Sequence, residues 1–202
     1  RVVEDQRYLS TRFAQIKDLT IEADYYARLK KAKLIKRVHV EKALAMKFNR
    51  LSLYEDHLSE AVSTGSILTT LDGQRVGHVN GLTVYDLGDH SFGKVARISA
   101  TSFVSDDGLV NVERITKLSG KIHDKGAQIL SGFLHGLLAR EQPLGLSAQV
   151  CFEQSYGEVE GDSATCGELV AVISAMADIP VLQNIAVTGS LNQYGEVQPI
   201  GG

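Results

Sequence analysis

The amino-acid sequence predicts an α+β fold, with an N-terminal small helical bundle over residues 1–65 and a mixed α/β domain over residues 66–202. Three observations predict it. Apolar residues recur at spacings of three and four through the first 65 residues, with no proline before Pro143. After Gly65 the texture changes to β-branched runs punctuated by Asp72-Gly73, Asn80-Gly81 and Asp107-Gly108. Beyond Asp124, two helical patterns alternate with short strands and end in a hairpin signal.

In chain order, Leu9, Phe13, Ile16, Thr20, Ala23 and Ala27 mark one face of a first helix. Val40–Phe48 and Leu51–Val62 continue the pattern, and Gly65 is placed to end the last helix as its C′ residue. Strands are expected over Ile67–Leu71, Val79–Tyr85, Val95–Val104 and Leu109–Ile115. Asp124 is expected to cap a helix reaching Arg140, with Ile129, Phe133, Leu137 and Leu138 inward. Leu146–Phe152 reads as a strand, Ser163–Ala177 as a helix and Ile185–Leu191 as a strand. Gln193-Tyr194-Gly195-Glu196 then reads as a turn into Val197–Ile200.

Composition narrows the function classes. The chain has 202 residues, 44% hydrophobic and 22% charged, which excludes wholesale disorder. No apolar run approaches the ~18 residues of a membrane helix. The chain opens Arg1-Val2-Val3 without an initiator Met or a leader pattern, so it is expected to be a piece of a longer protein. Cys151 and Cys166 form no CxxC and neither has a neighbouring His; a reducing cytosol is the expected compartment. Residues 1–50 carry 13 Lys or Arg against 6 acids, whereas the rest carry 8 against 18, which argues for two units with different tasks.

Helix Ser163–Ala177 is the most informative segment for chemistry. It is apolar nearly all round and therefore expected to be buried, yet a polar approach, Glu158-Val159-Glu160-Gly161-Asp162-Ser163, leads into it. Ser163 would sit at the first turn, where unpaired N–H groups and the positive dipole end gather. Those donors suit an oxyanion, and a hydroxyl among them suits a nucleophile. Asp162-Ser163 is equally an ordinary N-cap. The segment is not GxSxG, so an α/β-hydrolase elbow is not supported. Lys117, Lys121 and Lys125 read as a solvated face, and His123-Asp124 as a loop or cap that also offers a Ser-His-Asp alternative. His39, His57, His78, His90 and His135 lack metal-ligand spacing, and Cys166 reads as a small core residue. Lys30, Lys31, Lys33, Lys36 and Arg37 form a basic stretch that reads as a solvated helix end or a phosphate-contacting patch.

Three ordered blocks carry a resemblance. Phe152-Glu153-Gln154-Ser155-Tyr156-Gly157-Glu158-Val159-Glu160-Gly161-Asp162-Ser163-Ala164, then Ala186-Val187-Thr188-Gly189-Ser190, then Gly195-Glu196-Val197-Gln198-Pro199-Ile200-Gly201-Gly202 resemble the proteolytic domain of Lon-type ATP-dependent proteases. The likeness spans residues 76–202, including Val79-Asn80-Gly81-Leu82-Thr83-Val84-Tyr85 and Gly120–Phe133, and is nearest the Lon-like branch. Glu4–Ser10 and Val38–Leu44 resemble the helical lid of an AAA+ ATPase.

The resemblance implies an ATP-dependent serine endopeptidase with a Ser-Lys dyad, in which a neutral lysine takes the serine proton. Ser163 falls on the family's nucleophile, Thr188 on a residue that hydrogen-bonds the lysine, Glu160 where the family often has an acidic residue beside the dyad, and Asp162 on the family's Asp or Pro just before the serine. By the family's spacing the lysine lies a few residues beyond Gly202, so this stretch alone is expected to be inactive. ATP and magnesium are implied for the longer parent; with no GxxxxGK[ST], no cofactor is expected in this chain. The implied partners are unfolded or damaged protein substrates and further copies of itself in a homo-oligomeric ring, a hexamer in the family, with DNA an additional option and no membrane. The cytoplasm is the expected location. Two other readings stay open: a non-catalytic interaction module in which Ser163 only caps a helix, and a basic helical nucleic-acid binder.

Overall fold

The computed structural model describes residues 13–86, 90–139 and 145–200. These fall into two compact units: the chain up to His57 together with His90, and Leu58–Asp86 together with the chain from Ser91 onward.

In the first unit, α1 (Phe13–Leu29) packs against α2 (Arg37–Leu51). The buried residues are Ala23, Ala27 and Ala43, small side chains that let two helices approach closely, and His39. His39 Nδ1 accepts the Lys36 backbone N–H at 3.0 Å, satisfying a donor at the start of α2. Phe13 and Ile16 are exposed, so only the second half of the predicted α1 face is buried; Leu9 lies outside the described residues. Lys30, Lys31, Lys33 and Lys36 lie exposed on the connection between the two helices, and Arg37 lies exposed at the start of α2. The next helix, α3 (Leu53–Ser63), is followed as expected by Gly65 at φ +76°, and its last turn closes through an Ile67 N–H bond to the Ala61 carbonyl.

The second unit is built from β1 (Gln74–Arg75), β2 (His78–Asp86), β3 (Ser91–Phe103), β4 (Leu109–Asn111), α4 (Val112–Ile115), α5 (Lys121–Leu138), β5 (Ser147–Phe152), α6 (Thr165–Ala177), β6 (Val181–Leu182), β7 (Ala186–Val187), β8 (Ser190–Leu191) and β9 (Val197–Gln198). A five-stranded mixed sheet runs β4-β5-β3-β2-β7, and two small two-stranded sheets pair β1 with β6 and β8 with β9. Helices and a mixed sheet confirm the α+β class. Helix α6 lies on β2, β3 and β5, burying Ala171 and Val172 against a core that includes Val79, Ile98, Val150 and Leu130. The predicted turn after β8 is fastened by Asn192, whose Oδ1 accepts from the Tyr194 and Glu196 backbone N–H groups.

Several expected boundaries move, each for a local reason. Ile67–Leu71 is no strand, because side chains take the place of a ladder. Gln154 accepts from the Leu68 N–H and donates to the Ser66 carbonyl, and Asn80 donates to the Thr70 carbonyl. The Leu109–Ile115 run breaks after three residues, where Asn111 caps α4 by accepting the Arg114 N–H. Gly120, not Asp124, is the N-cap of α5. That helix buries His123, Gly126, Ala127, Leu130 and Leu134 and leaves Leu137 and Leu138 exposed, one position round from the expected face. Its proposed end at Arg140 lies outside the described residues. Helix α6 starts at Thr165, two residues later than expected. Finally, Ile185–Leu191 is two strands in different sheets, β7 and β8, broken at Thr188-Gly189.

Candidate active site

The break between β7 and β8 and the late start of α6 meet at one place. The Ser163 carbonyl accepts the Gly189 N–H at 2.6 Å and the Thr188 hydroxyl at 3.2 Å, and the Gly189 carbonyl accepts the Cys166 N–H at 3.0 Å. Asp162 is held from both ends. Its carbonyl accepts the Thr165 N–H and hydroxyl, and its carboxylate accepts the Ser190 hydroxyl at 2.9 Å. Backbone at residues 162–166 is thereby clasped by the strand break. This is why a run that reads as one strand cannot stay one.

The other flank of the loop rests on α5. Residues 119 and 159 form a parallel bridge, with the Gly120 N–H on the Val159 carbonyl at 2.9 Å. Glu160 lays its carboxylate over the start of α5, accepting the Ile122 N–H at 3.3 Å, where the helix dipole favours an anion. A Cβ on Gly120 would overlap Glu160 Oε2, and one on Gly126 would come within 3.2 Å of Asp162 Cβ, so two glycines admit the loop. Positions 120 and 126, on one stripe of α5, thus admit Glu160 and Asp162.

Ser163 is half-buried at the end of this loop. Among the described residues its hydroxyl has no hydrogen-bond partner, and its N–H and that of Ala164 meet no backbone acceptor. It is not the N-cap; Ala164 is, with no side-chain cap bond. The ordinary structural use of a serine here is therefore absent. The arrangement places a hydroxyl beside two unclaimed N–H donors at the start of a buried helix, the elements of nucleophilic attack with oxyanion stabilisation. Of the other sequence-selected residues, Thr188 and Asp162 hold the backbone around Ser163, and Glu160 anchors the loop on α5.

No internal base is in place among the described residues. Lys117, Lys121 and Lys125 are exposed, and none hydrogen-bonds Ser163. His123 is not on a loop or cap surface but 1% exposed inside α5, and Asp124 accepts the Ser119 hydroxyl, so His123-Asp124 does not form a serine triad. Burial holds the Cys166 thiol above its usual range, and its Sγ points to the Ser190 carbonyl. Burial, followed by the charges of Glu113 and Glu153, pushes Cys151 up to about 11, so neither cysteine is a thiolate nucleophile. No group of His, Cys, Asp and Glu among the described residues is arranged to hold a metal ion.

Behind the loop lies a polar cluster that the sequence reading did not select. Asn111 Nδ2 donates to Glu168 Oε1 at 2.9 Å and lies 3.4 Å from His123 Nε2, which is itself 3.7 Å from Glu168 Oε1. Glu113 accepts the Phe152 N–H at 2.8 Å. All four side chains are at most 5% exposed. A signal was present: Glu168 is an ionisable residue in a helix apolar nearly all round, and such a residue must be buried with a partner. Burial first, then the Glu113 charge, raises the Glu168 carboxyl to about 8, while the Asn111 bond opposes the rise. Burial likewise lowers His123, with Glu113, the Gly161 backbone, Asp124 and Glu160 acting against it.

The raised carboxyl has a sign for stability. Between its ordinary range near pH 4.5 and pH 8 the folded chain holds a proton that the unfolded chain has released, so stability falls as pH rises through that window. Glu168→Gln keeps an amide oxygen for Asn111 and removes this loss. The variant is expected to be more stable by about 4 kcal/mol at pH 8, with the gain vanishing towards pH 4. Thermal melts at both pH values check it; a gain that grows on acidification would refute it.

Both ends of the chain match known protein families. Residues 1–50 match the family described as Archaeal LonB, AAA+ ATPase LID domain, and residues 156–202 match the Lon protease (S16) C-terminal proteolytic domain. A Lon protease homolog of Escherichia coli K12 is 43% identical over 149 residues, 73% of this chain and 25% of that protein. The archaeal Lon protease of Pyrococcus abyssi is 33% identical over 210 residues, 96% of this chain and 19% of that protein. The chain spans about a quarter or less of the length of these relatives. A helical unit that matches an AAA+ lid is thus joined to an α+β unit whose last blocks match a proteolytic domain. The chain belongs to the Lon-type protease family. Among its described residues, no helix is long and apolar enough to cross a membrane.

Proposed function

We propose that this chain supplies the nucleophile-bearing part of an ATP-dependent serine endopeptidase, with the lid of the ATPase over residues 1–65 and the proteolytic domain from residue 66. The single observation that carries the serine reading is the Ser163 hydroxyl, free of structural bonds beside the unclaimed N–H groups of Ser163 and Ala164. Ser163 Oγ attacks the peptide carbonyl carbon while a base takes its proton. The resulting oxyanion is held by those two N–H groups. As the C–N bond breaks, the proton passes to the departing amine and an ester remains on Ser163, which water then hydrolyses. The unpaired edge of β2 supports a role in substrate binding: its ladder with β7 ends at Gly81–Val187, leaving residues 82–86 open on that side among the described residues.

The base is a lysine of the segment that follows Ile200 in the full-length protein, and the Thr188 hydroxyl lies on the Ser163 carbonyl, close to where such an amine must work. ATP and magnesium belong to the longer protein's ATPase core, and a cytoplasmic hexameric ring that feeds unfolded proteins to Ser163 is the working assembly. In the full-length protein a fluorophosphonate probe is expected to label Ser163 alone in this chain, with the label lost on Ser163→Ala. Labelling elsewhere, or none, would sink the reading. Residues 1–202 by themselves are expected to show no peptide turnover; turnover that disappears on Ser163→Ala would prove that an internal base suffices.

A further inference from the structure

Residues 188–190 all hold the loop that leads into α6, and Ser190 alone of the three does so with a buried side chain. Its hydroxyl, on a residue 3% exposed, donates to the Asp162 carboxylate at 2.9 Å, while Gln198 Oε1 lies 3.4 Å from the same oxygen. A hydroxyl has one proton, and the nearer, charged acceptor takes it. Among the described residues no other hydrogen bond reaches that carboxylate. The Ser190 backbone meanwhile pairs with Gln198 across β8 and β9. Two residues further along lies Ile200, after which the proposed base segment follows.

Asp162 has little else to fix it to another element. Its carbonyl accepts from Thr165, inside the same turn. On its other side Gly161, at φ +88°, leaves the backbone free to take several settings. Apart from its chain neighbours, a Cβ at Gly161 would meet only the Ser163 hydroxyl, at 4.0 Å, so that side of the nucleophile is open. The clasp on the Ser163 carbonyl holds the nucleophile from its C-terminal side, and the Ser190–Asp162 bond holds it from its N-terminal side.

We propose that Ser190 is a positioning residue for the attack: its hydroxyl fixes Asp162, and with it Ser163, in register with β9 and the base that follows. The inference rests on the reading of Ser163 as nucleophile. Ser190 touches no reacting atom. Its effect is on alignment, where an error of about 1 Å can cost about 10²-fold in rate.

The test uses the full-length protein and a short unstructured peptide substrate. Ser190→Ala is expected to lower kcat about 10- to 100-fold with KM within about 2-fold. Ser190→Thr, which keeps the hydroxyl, is expected to recover most of that loss. Asp162→Ala is expected to lower kcat as well, and adding Ser190→Ala to it should cost nothing more, because both changes remove one bond. Wild-type kcat in Ser190→Ala would overturn the proposal, and so would losses that multiply in the double variant. Should Ser190→Ala fail to fold, Ser190→Cys decides, since it fills a similar space with a weak donor: a clear loss of kcat supports the proposal and wild-type kcat overturns it. Turnover that survives Ser163→Ala would instead remove the nucleophile reading itself.

Discussion

Ser163→Ala in the full-length protein is expected to reduce peptide turnover by about 10³- to 10⁴-fold or more while leaving the melting temperature within experimental error. The two halves of that expectation come from one structural fact. The hydroxyl makes no hydrogen bond among the described residues and is half-buried, so its removal leaves no orphaned partner and only a small void. Substitutions of this kind change stability by no more than about 0.5 kcal/mol. A serine that capped α6 would behave in the opposite way, costing about 1 kcal/mol of stability with little reason to affect turnover. Measuring both quantities on one variant separates the nucleophile from the cap. Stability loss with intact turnover would point to the non-catalytic interaction module.

Long, strongly periodic or alternating segments were legible in the sequence. The helices α2, α5 and α6 and the strands β2, β3 and β5 all follow from local pattern, because each buries one face and its spacing records which. The misread boundaries at residues 67–71 and 109–115 share one cause. Local pattern cannot report a side chain that replaces a backbone partner, and that is what Gln154 and Asn80 do for residues 66–70 and what Asn111 does after β4. In α5 the apolar residues Leu137 and Leu138 suggested the inward face, whereas the small Gly126 and Ala127 set it, because close approach to Asp162 and Thr165 matters there more than apolar area. Ser163, Asp162, Glu160 and Thr188 were selected through ordered blocks of resemblance, and the structure gathers them on one loop and its clasp. Asn111, His123 and Glu168 come from three separate elements, so only the folded chain brings them together.

The strand break gives the second large effect. Gly189→Ala is expected to destabilise the second unit by about 2–4 kcal/mol, since positive-φ strain and overpacking each contribute about 1–3 kcal/mol and relax partly together. Gly189 has φ +153°, and a Cβ there would come 2.8 Å from Cys166 Sγ and 3.5 Å from Cys166 Cβ, inside the core. Both backbone bonds that clasp the Ser163–Cys166 segment belong to this residue, so the shift that relieves the clash also moves the nucleophile's carbonyl. Turnover should therefore fall in molecules that remain folded, unlike the behaviour of a purely destabilising change elsewhere in the sheet. A melt of residues 1–202 gives the first quantity and full-length kcat below the melting point gives the second. The double variant Gly189→Ala with Cys166→Ala divides the cost. Removing Sγ relieves the contact but not the backbone strain, so a partial recovery of stability measures the clash and the residue measures the strain. If the double variant is no more stable than Gly189→Ala alone, the strand break is a matter of backbone conformation only. If it is as stable as Cys166→Ala alone, the positive φ carries no strain, and the clasp is held by packing.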